Sequence, residues 1–393
     1  MKLLVVCSSL DLTAPWSATP AWWQLLKGLY EVGIDLVVTA YHGHVPEAPW
    51  WHAYPDPGRT VGEFYIAAKN VLRGIPLRRT PKETQGREQE LPSEIVTRMA
   101  QKIMTPLWKS HLARILQAEG DVDAVLLVSV PPNHVRGVAT YIRQRFGIPV
   151  LFYDGDVPAS LPPYRGFATG FRIYPGADIA EFDAVLSNSK GGLDLLRKMG
   201  ARSTHVLYYA ADPQIYYPVS VDKDIDILFY GTTDEYREEW LRTMITLPSR
   251  ALPGVKFAVR GRSLGDLGTV ESLRYVSFSN LRGYISRSRI NLDITRQSHA
   301  TLYGSSTMRH FELAMMGACM VCNPCQGIEE WFEPDKELIV VGSAEEAIDR
   351  YQYLLAHDKE RQTISEAART RALGEHTYQH RARQLEEIIK RYL

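Results

Sequence analysis

The 393-residue sequence has little cysteine, no excess of either charge and no long apolar run. Its 45 basic residues balance its 45 acidic ones, so no overall field favours nucleic acid as a partner. The sequence contains no run of about 18 apolar residues, no charged-then-apolar leader and only four cysteines, a combination that predicts a soluble cytoplasmic protein. With 45% hydrophobic residues, a chain of this length can build two domains with separate cores.

Three of the four cysteines follow the C-x-x-C-x-x-C spacing that metal-binding thiolates often show, at Cys319, Cys322 and Cys325. The first two lie in the apolar run ACMVC, which is typical of a buried strand, and Cys7 lies in another apolar run. We therefore expect free thiols in the core, with neither a metal site nor a resident cofactor.

The first half of the chain alternates apolar strands with helices. Apolar runs begin near residues 2, 34, 124, 148 and 184, and the intervening stretches are helical or polar. This alternation predicts a parallel sheet covered on both faces, spanning an N-terminal domain at 1–208. Ligands of such sheets bind beyond the carboxyl ends of the strands, which here precede the loops 8–20, 41–51, 131–134 and 154–163.

An insertion at 63–116 departs from the alternation and is predicted to be mainly helical. Between residues 69 and 114 it contains ten basic residues and four glutamates. A solvated helical face is one interpretation of this excess. The other is a surface for anionic lipid headgroups or an anionic acceptor, which would make the protein peripheral at the inner membrane surface.

The alternation restarts after a proline-containing linker at 209–222. Predicted strands at 224–231, 255–261, 289–295, 318–323 and 337–341 indicate a second parallel domain at 223–376. A terminal helix at 377–393 is expected to pack back towards the N-terminal domain. The predicted fold class is α/β, with two doubly wound, Rossmann-like domains and a cleft between them.

The stretch at 303–322, YGSSTMRHFELAMMGACMVC, carries charge where a structural role is hard to find. Ser305, Ser306 or Thr307 can cap a helix whose apolar residues recur at i, i+3 and i+7, and Gly317 fits the position just past its last turn. Arg309 and Glu312 share one face near the helix N-terminus, which favours an anion. The pattern predicts a phosphate-sized site, and a solvated ion pair is the alternative.

Four strings in residues 224–393 carry a resemblance to a known family: ILFYGTTDEYREEWL, NLDITRQ, SSTMRHFELAMMGACMVCNPCQGIEEWFEPDKELIVV and ALGEHTYQHRARQLEEI. This half resembles the CgeB-like (spore maturation) glycosyltransferases and, more distantly, glycosyltransferase family 4. The resemblance implies the GT-B architecture and a hexosyltransferase. Its C-terminal domain would bind a nucleoside diphosphate sugar as donor substrate, and its N-terminal domain an acceptor.

The resemblance also implies roles for individual residues. Glu312 matches the glutamate that hydrogen-bonds the ribose hydroxyls, and Arg309 would face the diphosphate. Gly231, followed by Thr232, matches the first loop of the nucleotide-binding domain. Arg237 falls where family 4 places a diphosphate-binding lysine.

One departure concerns the E-x7-E pair of family 4, because Gly304 stands eight residues before Glu312. This leaves open whether the reaction retains or inverts the sugar configuration. Breaking a glycosidic bond to a diphosphate requires neutralising the leaving charge, which helix N-termini and arginines can do without a metal. The available groups are Arg309, Arg237, Arg260, Arg262, Ser306 and Thr307.

Candidates for accepting a proton from the acceptor lie in the N-terminal loops. They are His134, Asp156 and Asp154, of which the aspartates form a D-G-D motif that we place away from the donor pocket. For the two aspartates, a structural role in an Asx turn is an equal alternative to the catalytic role. For His134, the alternative is a structural position at a helix N-terminus.

Two other functions remain open at this stage. A nucleotide-sugar epimerase could share the architecture, although no paired acid and base are evident for it. The third possibility is a non-catalytic coat or partner-binding module. The glycine at 304, in place of the first glutamate of the E-x7-E pair, would favour it. The acceptor could be a sugar, a lipid-linked group, a protein or a small molecule.

Overall fold

The computed structural model describes residues 1–10, 21–57, 93–162, 173–231, 237–261, 266–273 and 278–393. Thr232, Arg262, much of the loop 8–20 and the part of the predicted insertion before residue 93 lie outside the described residues.

The first domain contains a seven-stranded parallel sheet in the order β3-β2-β1-β4-β5-β6-β7. Its strands are β1 (Lys2–Cys7), β2 (Asp35–Ala40), β3 (His52–Ala53), β4 (Ala124–Val128), β5 (Val150–Asp154), β6 (Ala184–Ser187) and β7 (Thr204–Val206). Its helices are α1 (Ala21–Glu31), α2 (Ser93–Glu119), α3 (Val138–Phe146) and α4 (Gly192–Lys198), with a 3-10 turn at Ile179–Glu181.

Helices cover both faces of this sheet, as the continuous apolar strands predict. Leu3 and Val5 of β1 enter one core with residues of α1, whereas Leu4 and Val6 enter the other with residues of α2 and α3. The strand order reverses between β1 and β4, so a crevice opens at the carboxyl ends of these two strands.

The second domain contains a six-stranded parallel sheet in the order β10-β9-β8-β11-β12-β13. Its strands are β8 (Ile225–Tyr230), β9 (Phe257–Arg260), β10 (Val270–Ser272), β11 (Ser288–Asp293), β12 (Met320–Cys322) and β13 (Ile339–Val340). The reversal of order falls between β8 and β11, which places a second crevice at their carboxyl ends.

Helix α5 begins this domain's helical layer as Glu238–Leu241, continues through a π-helical turn at Arg242–Thr246 and finishes as Leu247–Ala251. The others are α6 (Phe278–Arg287), α7 (Gln297–Thr301), α8 (Met308–Met315), α9 (Ala344–Ala356), α10 (Asp358–Glu375) and α11 (Tyr378–Lys390), with a 3-10 turn at Ile328–Glu330.

The last helix belongs to the core of the first domain. Tyr378, Ala382 and Leu385 of α11 pack with Leu25 and Leu29 of α1. Thr377 caps α11 through its hydroxyl, which accepts from the His380 N–H. The C-terminal end of the chain therefore joins the two domains a second time, beside the linker.

A backbone seam also joins the domains. The Lys190 N–H donates to the Gly304 carbonyl (3.0 Å), and the Gly191 N–H donates to the Tyr303 carbonyl (2.8 Å). The Ser189 and Ser305 hydroxyls share a hydrogen bond of 2.7 Å. The stretch before α8 is thereby fixed against the carboxyl end of β6.

Candidate functional site

Two guanidinium groups converge at the carboxyl end of β11. The Arg237 Nε donates to the Ile294 carbonyl at 2.8 Å, and the Arg309 Nη1 donates to the same carbonyl at 3.3 Å. Arg237 lies at the start of α5 and Arg309 in the first turn of α8. Two elements that follow different strands thus each place a positively charged side chain at the same carbonyl. This carbonyl lies at the crevice between β8 and β11.

Aromatic rings and a glycine fix the position of Arg309. Its guanidinium lies 4.7 Å from the ring centre of Tyr230 and 5.5 Å from that of Phe229. A Cβ at Gly231 would lie 2.9 Å from the Arg309 Nη2, so the absence of a side chain at this position lets the guanidinium approach. The Gly231 N–H in turn donates to the carbonyl of Arg260, at the end of β9.

A buried ion pair lies behind these cations. Asp293, the last residue of β11, contacts His310 of α8, and both side chains are buried. Burial would lower the pKa of His310, but the Asp293 charge outweighs it and raises the pKa to about 10. Burial would likewise raise the pKa of Asp293, but His310, Arg309 and Arg237 hold it below its ordinary range. This pair was not predicted from the sequence, where its only local signal is two ionisable residues within apolar surroundings.

Glu312 is enclosed between two tyrosines. The Tyr216 hydroxyl donates to its Oε1 (2.6 Å), the Tyr230 hydroxyl donates to its Oε2 (3.3 Å), and the residue is 4% exposed. Burial raises the pKa of Glu312, against the opposing effects of the two hydroxyls and Arg309. A solvated ion pair, the alternative for Arg309 and Glu312, does not fit this burial.

Ser306 has other surroundings than the sequence indicated, whereas Thr307 lies at the position where a cap is predicted. Ser306 is buried in the seam, where its hydroxyl donates to the Asn188 carbonyl (3.0 Å) and accepts from the Tyr209 N–H (3.1 Å). Thr307 occupies the N-cap position of α8, but its side chain makes no capping hydrogen bond. Contact with the first domain thus occupies the Ser306 oxygen that we expected at the helix N-terminus.

The structure gives a reason for the glycine at 304. Its φ is +58°, and a Cβ there would lie 3.0 Å from the Tyr208 hydroxyl and 3.1 Å from the Lys190 Cβ. A glutamate at this position would strain the backbone and press on the seam. The position therefore serves contact between the domains.

Asp154 and Gly155 form the base of the loop after β5. The Asp154 carboxylate is buried and accepts from the hydroxyls of Ser160 and Tyr174, each at 2.5 Å, and from the Asp156 N–H at 3.0 Å. Burial raises its pKa, and these donors oppose the rise. The contacts favour the Asx-turn interpretation of Asp154. A Cβ on Gly155 would come within 2.2 Å of the Trp22 ring, so only glycine fits here.

Asp156 reaches across to the second domain. Its Oδ1 lies 3.6 Å from the Arg296 Nη1 and 4.0 Å from the His299 Nε2. Arg296 follows Ile294 by two residues, so Asp156 contacts the stretch that continues from the carbonyl shared by Arg237 and Arg309. Burial lowers the pKa of His299 to about 3, so this imidazole is neutral.

His134 lies elsewhere in the first domain. Its Nδ1 shares a hydrogen bond of 2.8 Å with the Tyr41 hydroxyl, and Tyr41 follows β2. Burial lowers the pKa of His134, which keeps the imidazole neutral. The structure thus separates His134 and Asp156 into different local networks, although both follow strands of one sheet.

Within the described ranges, no three His, Cys, Asp or Glu side chains come together as a metal site. Cys319 and Cys322 are free thiols that face different cores of the second domain, and Cys325 is also free and buried. Among the described helices, none combines the length and apolar character needed to cross a membrane.

Comparison with known proteins gives one family and many structures. Residues 237–387 match the family described as glycosyl transferase-like. No curated protein matches the chain. A sucrose-phosphate synthase from Thermosynechococcus elongatus aligns at 13% identity and a TM-score of 0.63, covering 100% of this chain and 99% of that one.

Two further structures align over 100% of this chain. HepE of Anabaena, in complex with UDP, aligns at 12% identity, a TM-score of 0.63 and 100% of its own length. BGT of T4 phage, in complex with its UDP-glucose substrate, aligns at 11% identity, a TM-score of 0.56 and 99% of its length. The chain has the α/β GT-B fold, two parallel-sheet domains that face each other across a cleft.

Proposed function

We propose that this chain is a glycosyltransferase that moves a sugar, of the hexosyl class, from a nucleoside diphosphate sugar to an acceptor. The observation that carries the proposal is the convergence of Arg237 and Arg309 on the Ile294 carbonyl, with Glu312 one turn further along α8. Two fixed guanidiniums beside a helix N-terminus suit a diphosphate, and a carboxylate nearby suits a pair of sugar hydroxyls. The glycosyl transferase-like match over 237–387 supports the same assignment.

The proposed chemistry assigns each domain a part. The arginines neutralise the charge that develops on the diphosphate as the bond to the sugar breaks, so the transfer proceeds without a metal. Asp156, from the first domain, accepts the proton of the attacking hydroxyl. Its Oδ1 lies 3.6 Å from the Arg296 Nη1 of the second domain, a contact across the domains that supports this role.

The proposal is tested by measuring the affinity of UDP, GDP, ADP and dTDP by calorimetry in the presence of EDTA. We expect at least one to bind, and Arg309→Met to weaken it about tenfold or more, because hydrogen bonds to charged groups contribute about 1.5–3 kcal/mol. The matched control is Arg282→Met, since Arg282 also stacks on a tyrosine, at 4.2 Å from the ring centre of Tyr217.

Two outcomes would contradict the proposal. In the first, no nucleoside diphosphate binds the wild-type chain. In the second, the Arg309 and Arg282 variants bind the nucleotide equally well. Where a nucleotide binds, slow hydrolysis of the matching nucleotide sugar in EDTA is the expected transferase activity, and a requirement for a divalent ion would contradict the metal-independent course.

A further inference from the structure

Two tyrosines from different parts of the chain each contact one oxygen of Glu312. Tyr216 belongs to the stretch between the domains, and Tyr230 is the last residue of β8. We propose that Tyr216 is a positioning residue that fixes Oε1 of Glu312, whereas Tyr230 holds Oε2 only until a ribose hydroxyl of the donor replaces it. This inference rests on the proposed function and adds two residues with opposite effects on donor binding.

The Tyr216 contact has the features of a permanent support. Its hydrogen bond is short, at 2.6 Å, and the tyrosine is 0% exposed. Its own backbone is anchored, because the Tyr216 N–H donates to the Asp212 carbonyl at 2.8 Å. The Asp212 carboxylate is in turn paired with Lys27 of α1 at 2.7 Å. Because Tyr216 has no exposed surface, we do not expect a ligand to displace its hydroxyl.

The Tyr230 contact is longer and lies at the crevice between β8 and β11. Its hydrogen bond is 3.3 Å long, and the residue is 8% exposed at the carboxyl end of β8. The Arg309 guanidinium lies over the Tyr230 ring, so a diphosphate bound to Arg309 would bring the attached ribose to this tyrosine. Because Glu312 is only 4% exposed and the Tyr230 hydroxyl already contacts Oε2, the proposed ribose contact at this oxygen replaces that hydroxyl.

Single phenylalanine substitutions separate the two roles, since each removes a hydroxyl and keeps the ring. In Tyr216→Phe the carboxylate loses the donor that orients it, so donor binding weakens. In Tyr230→Phe the ribose hydroxyl no longer competes with a protein donor, so donor binding strengthens. The matched control is Tyr351→Phe, because Tyr351 is also fully buried and its hydroxyl donates to the Met244 carbonyl at 2.9 Å, in the other core of the same domain.

The experiment uses the full chain and three probes. They are the tightest-binding ribonucleoside diphosphate of the panel above (UDP, GDP or ADP), its 2′,3′-dideoxy analogue and inorganic pyrophosphate. We expect the wild-type preference for the ribose form over the dideoxy form to fall about tenfold in Tyr216→Phe and to rise about threefold in Tyr230→Phe. Pyrophosphate affinity should stay unchanged in both, and Tyr351→Phe should match the wild type with every probe.

Different results would contradict the proposed function and the roles of the two tyrosines. If no nucleotide binds the wild-type chain, the proposed function fails. If the nucleotide binds but the wild type does not distinguish ribose from dideoxyribose, or both tyrosine variants match Tyr351→Phe, the inference fails and the function stands. An equal loss in Tyr216→Phe and Tyr230→Phe would make both tyrosines simple supports and overturn the exchange at Oε2. Thermal unfolding of each variant separates loss of folding from loss of affinity.

Discussion

At the scale of single residues, the charge of Glu312 is set by opposing effects. Burial raises its pKa, and the nearby charge of Asp293 acts in the same direction. The Tyr216 hydroxyl, the Arg309 charge and the Tyr230 hydroxyl lower it. Tyr378 of α11 lies within electrostatic range as well. The carboxylate therefore takes up a proton at a higher pH than an exposed glutamate does.

This balance predicts how nucleotide affinity depends on pH. The ionised carboxylate is the stronger acceptor for ribose hydroxyls, so affinity is at its maximum above the raised pKa of Glu312 and falls as the pH drops through it. In Glu312→Gln this component is absent, and affinity at neutral pH should be lower by about 1.5–3 kcal/mol. Calorimetric titrations of both forms across the acid range measure the difference.

The variant also serves as the reference for the ligand's own titration. A terminal phosphate takes up a proton near pH 6, and that effect is common to both proteins. The difference between the two curves therefore reports Glu312 alone. If affinity changed with pH in parallel for the two proteins, or if their affinities were equal at neutral pH, Glu312 would not contact the nucleotide.

At the scale of elements, local pattern was sufficient to place α8 and insufficient to place its partners. The sequence predicted an amphipathic helix ended by Gly317, and the structure confirms it: α8 ends at Met315, and Gly317 has a φ of +65°. Helical periodicity and a terminating glycine are both properties of consecutive residues, so they can be predicted from the local sequence.

The groups around α8 come from distant parts of the chain. Tyr216 is 96 residues from Glu312 in sequence, and Asn188 is 118 residues from Ser306. Which polar group lies opposite a helical side chain depends on the order of strands in the sheet and on the packing of the domains. No local pattern states either, so the two tyrosines, the Asp293–His310 pair and the position of Ser306 in the seam could not be predicted.

Helix α11 shows how one element ties the domains together. Arg381 is buried and donates from Nε to the carbonyls of Tyr208 and Tyr209, each at 3.1 Å. Its other nitrogens donate to the Glu375 carbonyl at 3.3 Å and to His376 Nδ1 at 2.8 Å. Burial lowers the pKa of Arg381 to about 10, so the side chain remains charged at neutral pH.

Replacing Arg381 with methionine should lower the free energy of unfolding by about 2–4 kcal/mol. Methionine keeps much of the volume, but it leaves buried carbonyls at the start of the linker without a donor. The reduced cost of burying a charge offsets part of the loss. Urea unfolding followed by circular dichroism measures the effect, with Arg383→Met, at an exposed position of the same helix, as the control. Equal midpoints for the two variants would show that these hydrogen bonds contribute no net stability.

At the scale of the whole molecule, the loop that carries Asp156 is tied to both domains independently of its carboxylate. Gly155 is held between Trp22 and the Tyr209 hydroxyl, which donates to its carbonyl at 2.6 Å. The Val157 N–H donates to Asn188 Oδ1 at 3.0 Å, and Asn188 Nδ2 donates to the Ser306 carbonyl at 3.0 Å. A continuous set of hydrogen bonds thus connects the loop after β5 with the start of α8.

By contrast, the Asp156 carboxylate adds little to the joining of the domains. Its oxygen is 3.6 Å from Arg296, and its side chain is 31% exposed. Ion pairs with this much solvent contribute about 0–1 kcal/mol. Asp156→Asn should therefore leave the arrangement of the domains and the affinity for nucleoside diphosphate unchanged.

The same substitution should nevertheless reduce turnover about a hundredfold or more, because an amide cannot accept the proton of the attacking hydroxyl and general bases contribute about 10²–10⁴ in rate. Hydrolysis of the nucleotide sugar, with water as the acceptor, measures this without knowledge of the natural acceptor. Asp178→Asn is the control, since Asp178 is an exposed carboxylate of the same domain that caps a 3-10 turn, a role that asparagine also fills.

A large loss of turnover with unchanged nucleotide affinity fits an inverting course with Asp156 as base. A loss of only a few-fold would contradict the base role and fit a retaining course, in which the leaving diphosphate can take the proton. A loss of nucleotide affinity would instead show that Asp156 contributes to binding of the donor.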